Sequence, residues 1–495
     1  MSTFKQKSLF AALAGLGVLG VVDSAQAVHI NQDGLGQALV YPYYTVRNSP
    51  SGNAYVTALS VVNTTASAKA VKVRFLEGKN SREVLDFNLF LSQYDVWTAG
   101  IVQAGVGAGV FTTDNSCTTP AVSRSGSTPT LFRNGAYVGD NGGDTLDRTN
   151  EGYFEILEMG TILGNSSLET AVTHVQNLSA PNASKPTCAN LPVSDTFPSA
   201  LTTPSGGLMG TTSLINVNDG TDMSYDAVAL DGWSSTVNWS APGSTLPRLS
   251  DTVPPVSVVI DNSSLGGRVV RTNWATNASP GRDAVSAIMM RSHVYNEYTV
   301  ETTIKAATDW VVTMPTKRFY VSSGTGAATR PFQSNFSSSG SCDTINLIYY
   351  DREEQTPGSI IDFSPTTPES KSLCWEANVL TFTGNGGTAS SSHVLGSLNF
   401  ANVALNATWI NGWADLSFPQ NGVTHTLPAP ANATTIIDVA SNGAPLTNQN
   451  VTYYGLPVIG FAVQSYSTTG LPGVNPNVLS NYGGNFNHKY LRDIR

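Results

Sequence analysis

Between residues 55 and 91 the chain repeats a pattern suited to extended backbone. In Ala70-Val71-Lys72-Val73-Arg74-Phe75, apolar and basic residues alternate. Successive side chains of a strand point to opposite faces, so Val71, Val73 and Phe75 are predicted to enter a core while Lys72 and Arg74 face water. Tyr55–Val62 precedes this run and is separated from it by the turn residues Asn63-Thr64-Thr65; Glu77-Gly78-Lys79-Asn80 then breaks the run. The alternation resumes over Val84–Leu91, through Phe87, Leu89 and Leu91. Short strands separated by polar turns predict antiparallel sheets. Further strands are expected at Gly152–Met159, Asp309–Met314, Arg318–Val321, Ile345–Tyr350 and Asn378–Thr383, and a short helix at Asp283–Arg291, where Val285, Ile288 and Met289 share a face.

Composition points the same way. Charged residues make up 12% of the 495 residues, about half of the usual ~25%. Ser, Thr, Asn and Gly stand in their place, and these favour turns and local hydrogen bonds over long helices. Two stretches rich in them, 105–150 and 178–210, are predicted as long loops. Proline and glycine crowd Ser240–Pro247 and return at Pro254-Pro255, which marks a boundary, since such a segment cannot pair inside a sheet. The expectation is an all-β chain of two antiparallel β-sandwich-like domains, 28–245 and 256–495, with long Ser/Thr/Asn/Gly-rich loops. No repeat of fixed period supports a solenoid.

Residues 1–27 read as an export signal. Lys5 and Lys7 precede the apolar run Leu9–Val22, and Ala25-Gln26-Ala27 is a small-x-small cleavage site that would start the mature chain near Val28. The expected location is therefore the periplasm, the cell surface or the medium. Four cysteines, Cys117, Cys188, Cys342 and Cys374, fit two disulfides in such a compartment. Of the three pairings, Cys117–Cys188 and Cys342–Cys374 are favoured because each closes a loop within one half. No later apolar run reaches the roughly 18–20 residues of a membrane helix. The net charge of −9 argues against nucleic acid and anionic lipid as partners, both of which need a basic surface.

Reactive motifs are sparse. Gly15-Leu16-Gly17-Val18-Leu19-Gly20 matches a dinucleotide fingerprint but lies inside the signal. The six histidines are scattered without metal-protease spacing, and no catalytic residue is nominated. His293 and Glu297 share a strand face and read as an ordinary exposed strand. Asp140, Asp144 and Asp147, and separately Asp219 and Asp222, sit in Asx-rich stretches that offer the hard oxygens calcium prefers, although the same residues also build turns. Asp351-Arg352-Glu353-Glu354 reads as the solvated exit of a strand rather than a carboxylate pair for glycoside cleavage. Trp409 and Trp413 form the densest tryptophan pair and are the candidates for stacking on sugar rings; core filling is the alternative.

Val71–Glu77, Asp86–Trp97, Trp310–Val321 and Tyr350–Glu354 resemble segments of exported, mostly uncharacterised β-rich proteins of Gram-negative bacteria. The resemblance implies export and β architecture and assigns no active residue. Surface-layer proteins are similar in composition only. The expected function is that of an exported, non-enzymatic structural or interaction protein of the cell exterior, whose partners are further copies of itself, envelope components or glycans, with calcium bridges as an added element. A carbohydrate-binding module or glycan-active enzyme is the alternative, and an outer-membrane barrel the third.

Overall fold

The computed structural model describes residues 26–175, 185–261, 267–321, 328–355, 363–364, 372–384, 389–406, 408–419, 425–438, 445–467 and 481–495. Residues 1–25 of the expected export signal, and 178–184 of the second expected loop, lie outside these residues. Within them the protein is all-β, built from several sheets that are almost entirely antiparallel.

The alternating strand Lys69–Glu77 lies well inside a first sheet of eight strands among the described residues. Along the main path its neighbours run in the order His29–Ile30, Val228–Asp231, Ala38–Thr45, Glu151–Ile162, Lys69–Glu77, Glu83–Leu91, Cys117–Thr119. A second, seven-stranded sheet includes Val56–Asn63, Val96–Ala104, Gly107–Phe111, Thr211–Asn216 and Thr221–Asp226. Val71, Val73, Phe75, Phe87 and Phe154 of the first sheet share one apolar cluster with Leu59, Val61, Trp97, Ile101 and Leu214 of the second. Tyr41 and Phe154 stack inside it at 4.1 Å.

The phase of the alternation is as expected, but its other face is not in water. Lys72 and Arg74 are buried. Lys72 Nζ donates to Asp86 and to the Ala241 carbonyl; Arg74 donates to Glu83, Glu155 and the Pro247 carbonyl. The Pro/Gly-rich segment covers this face of the first sheet. Unable to join a ladder itself, it presents free carbonyls, which accept the cations of the sheet beneath. Trp233 is pinned under the same segment by its Nε1 bond to Leu249 O.

A six-stranded central sheet follows, including Ala307–Thr313, Ala377–Thr383, Phe400–Ala404, Ile459–Ser467 and Asn481–Asn487. Ala377–Thr383 and Phe400–Ala404 pair in parallel. Ala307–Thr313 and Ala377–Thr383 are buried on both faces, with Thr308, Asp309, Asn378 and Thr381 covered along with the apolar residues. Val311, Val379, Phe461 and Val463 join the cluster of the first two sheets; Trp310, Val312, Leu380 and Phe382 face a second cluster, shared with Val294, Leu347, Ala414 and Leu416. Those last four come from a four-stranded outer sheet ordered Asn346–Asp351, Asn411–Ser417, His293–Thr299, Lys489–Leu491. Both clusters draw residues from either side of the 240–255 segment, so the composition break does not separate two cores.

The predicted helix forms over Pro280–Met289, with Val285, Ile288 and Met289 buried. Cys117 pairs with Cys188 and Cys342 with Cys374, which fits an oxidising, extracytoplasmic compartment. Among the described residues, no helix is long and apolar enough to cross a membrane.

Candidate functional site: an aromatic face on the outer sheet

The outer sheet buries one face and leaves the other open, and strand alternation decides which residues stand on it. Along His293–Thr299, Val294 and Tyr298 point inward while His293, Tyr295 and Glu297 take the open side. Along Asn411–Ser417, Ala414 and Leu416 are buried, leaving Trp413 and Asp415 outward. Ile348 and Tyr350 complete the face from Asn346–Asp351. The ladder sets Trp413 directly between Tyr350 and Glu297, and Asp415 between Ile348 and Tyr295.

This register builds an aromatic row. Tyr350 and Trp413 stack with centroids 4.4 Å apart and planes 13° apart. Tyr295 leans on Trp413 at 6.3 Å, and His293 stacks on Tyr295 at 5.8 Å. Trp413 is 41% exposed and Ile348 45%, so the row presents ring and hydrocarbon surface to solvent. Polar groups are interleaved with it: His293 Nδ1 lies 2.9 Å from Asp415 Oδ1, and Glu297 is exposed beside Trp413. The hydrogen bond to Asp415 raises the imidazole pKa of His293 against a partial desolvation that lowers it. Such a surface suits ligands that combine flat C–H faces with hydroxyls.

The two tryptophans named from sequence therefore part company. Trp409 is only 6% exposed and packs edge-on against Tyr349 at 5.3 Å; it fills the core rather than meeting a sugar. Trp413, four residues on, stands in the open. Tyr350 and Tyr295 were not singled out in the sequence, although period-two spacing with Ile348 and His293 placed them on those faces.

The acidic stretches named from sequence make hydrogen bonds and ion pairs within the chain. Asp140 is buried and accepts from both terminal nitrogens of Arg148, at 2.9 and 2.7 Å, while Arg148 also bonds Glu77. Asp147 pairs with Arg47 at 2.6 Å. Arginines thus supply the positive charge beside Asp140 and Asp147. Asp144 is exposed, its carbonyl accepting from Asn134. The Asp219 carboxylate accepts from Ser49 and Asn53, and its backbone amide donates to Asn216 Oδ1. Asp222 lies on a strand opposite Ile215 and bonds Ser224. Among the described residues no cluster of three or more His, Cys, Asp or Glu has metal-binding geometry. Asp351 spends its Oδ1 on the amides of Glu353 and Gln355, closing the turn at the strand exit.

One serine, histidine and aspartate do meet, near the first disulfide. Ser92 Oγ lies 3.1 Å from His174 Nδ1, and Asp95 Oδ2 lies 3.6 Å from that same nitrogen. A nucleophile–base–orienter relay needs hydroxyl and carboxylate on opposite ring nitrogens. Here both crowd one nitrogen, and Asp95 also accepts the Ser92 amide and the Ser116 hydroxyl. The cluster ties loops together and does not activate the serine. No family model, curated protein or solved structure matches the chain.

Proposed function

We propose that this is an extracytoplasmic, non-enzymatic binding protein that holds polysaccharide on the open face of its outer sheet. The observation that carries the reading is the solvent-facing Tyr350–Trp413 stack flanked by Tyr295, His293, Asp415 and Glu297. Aromatic rings offer large apolar area at low entropic cost, and the adjacent carboxylates and imidazole accept and donate to hydroxyls. The two disulfides fit the compartment in which envelope and matrix glycans occur.

The test is binding of the purified protein to β-linked polysaccharides, whose pyranose rings expose flat C–H faces: pull-down on chitin, cellulose and peptidoglycan sacculi, and gel retardation by soluble β-glucans. Wild type is expected to bind at least one of these. Trp413→Ala should weaken that binding by about tenfold or more, roughly 1.4 kcal/mol. Because Trp413 stands on the open face, Trp413→Ala should shift thermal unfolding much less than Trp409→Ala, which should destabilise by roughly 3–5 kcal/mol through a core cavity. Failure of the wild type to bind any of these glycans, or undiminished binding by Trp413→Ala, overturns the proposal.

A further inference from the structure

A cavity of about 550 Å³ opens at the seam between the first, central and outer sheets. Its walls include the apolar side chains of Val228, Val294, Val312 and Ile459. Two guanidinium groups line it as well, Arg291 and Arg492. Arg291 is 4% exposed; its Nη1 donates to the Ile288 and Met290 carbonyls, and its guanidinium carbon sits 3.8 Å from the centre of the Tyr490 ring. Arg492 faces the same ring at 5.4 Å. Its Nε and Nη1 are shut away from water and have no acceptor among the described residues.

Two cations thus share one phenol in a desolvated site. Asp261, whose charge reaches Arg492, also pairs with Arg268, and Asp493 pairs with Arg495, while Asp226 lies exposed at the cavity edge. His488 adds no charge, since burial pushes its pKa down to about 4 and its Nε2 bonds Val311 O. Burial and the neighbouring Arg492 likewise bring the pKa of Arg291 down to about 9. Tyr490, hydrogen-bonded to Arg492, and the shared Asp261 offset these two buried charges only in part; a bound anion relieves the remaining cost for both arginines at once. The size falls in the usual small-ligand range of roughly 300–1,000 Å³, and apolar walls with a few convergent polar groups are the usual make-up of such sites.

We propose that this cavity binds a carboxylate carried on a hydrocarbon body, with the carboxylate on Arg492 and Arg291 and the hydrocarbon against Val228, Val294, Val312 and Ile459. The site is separate from the aromatic face. Calorimetric titration of the full chain with decanoate is expected to show saturable binding, and decanol should bind at least about tenfold more weakly because it leaves the guanidinium groups unpaired. Arg492→Met should weaken decanoate binding by a similar factor. Inorganic phosphate should not displace decanoate at equal concentration, and Trp413→Ala should leave decanoate binding unchanged. Equal binding of decanoate and decanol, no binding of decanoate up to millimolar concentration, or displacement by phosphate overturns the proposal. The decanoate–decanol comparison needs only the wild-type protein, so it decides the matter even if Arg492→Met does not fold.

Discussion

Glu376 is the carboxyl group most at odds with its surroundings. It is 1% exposed, with the Ser81 hydroxyl and the Arg318 amide beside it. Burial lifts its pKa to about 8, against the pull of Lys317 and Arg318. The folded protein therefore holds a proton here that the unfolded chain releases above the ordinary carboxyl range, so this residue's contribution to stability is full below about pH 4.5 and is lost as pH rises to about 8. Glu376→Gln is expected to be more stable than wild type at pH 8, by roughly 2–4 kcal/mol, with the advantage vanishing near pH 4–5. Urea unfolding at the two pH values checks this; equal midpoints at pH 8 would contradict it. Asp140 and Asp147 act in the opposite window. Burial alone would raise their pKa values, but hydrogen bonds from Arg148 and the Gly142 amide, and from Arg47, bring them below the usual carboxylate value, so their contribution is lost only as the solution becomes strongly acidic. None of these shifts was legible in the sequence. Glu376 and Asp140 are ordinary acidic residues there, and only burial and the arginines that fold against them give them different behaviour.

At the scale of elements, the disulfide Cys117–Cys188 joins a short edge strand of the first sheet to the segment that follows the helix Ser167–Val172. The pairing was the one favoured by closing loops within one half of the chain. With a sequence separation of 71 residues, its loss costs up to about 4 kcal/mol on the chain-entropy account. The double variant Cys117→Ser/Cys188→Ser is therefore expected to unfold at lower guanidinium concentration, with hydrogen exchange rising first in Cys117–Thr119 and Ser167–Val172. Unchanged exchange in those two elements would show that the bridge does not hold them. Strand placement was largely readable, because period-two alternation at Val71–Phe75 and Phe87–Leu91 follows directly from extended backbone. The Arg318–Val321 strand was not: Lys317–Phe319 forms a short 3-10 turn instead, with Lys317 Nζ buried against Asp343. A buried ion pair outweighed a weak local preference for strand.

For the whole molecule, the shared cores are decisive. Val311, Val379, Phe461 and Val463, all from the later half, pack in the same cluster as Tyr41, Phe75 and Trp97. Buried polar links cross in the same way: Ser397 and Tyr43 both bond Glu151, and Thr313 donates to Pro42 O. Residues 28–245 and 256–495, expressed apart, are each expected to lack cooperative unfolding and to expose apolar surface that binds a hydrophobic dye. Mixed or co-expressed, they should recover one transition. Two separately folded, cooperative halves would refute this. A proline-rich stretch such as 240–255 looks like a linker because its backbone cannot pair in a sheet, yet that inability leaves its carbonyls free to accept Lys72 and Arg74. Sequence by itself determined the all-β class, the short helix, the paired cysteines and the faces of the better strands, since each depends on backbone geometry and side-chain period within a few residues. Only the tertiary structure decided which faces are covered: it buried Lys72, Arg74 and Trp409, left Trp413 in the open, and brought Arg291 and Arg492 together. Burial and charge pairing bring together segments as far apart as Arg74 and Pro247, 173 residues along the chain, and no local pattern records which of them will meet.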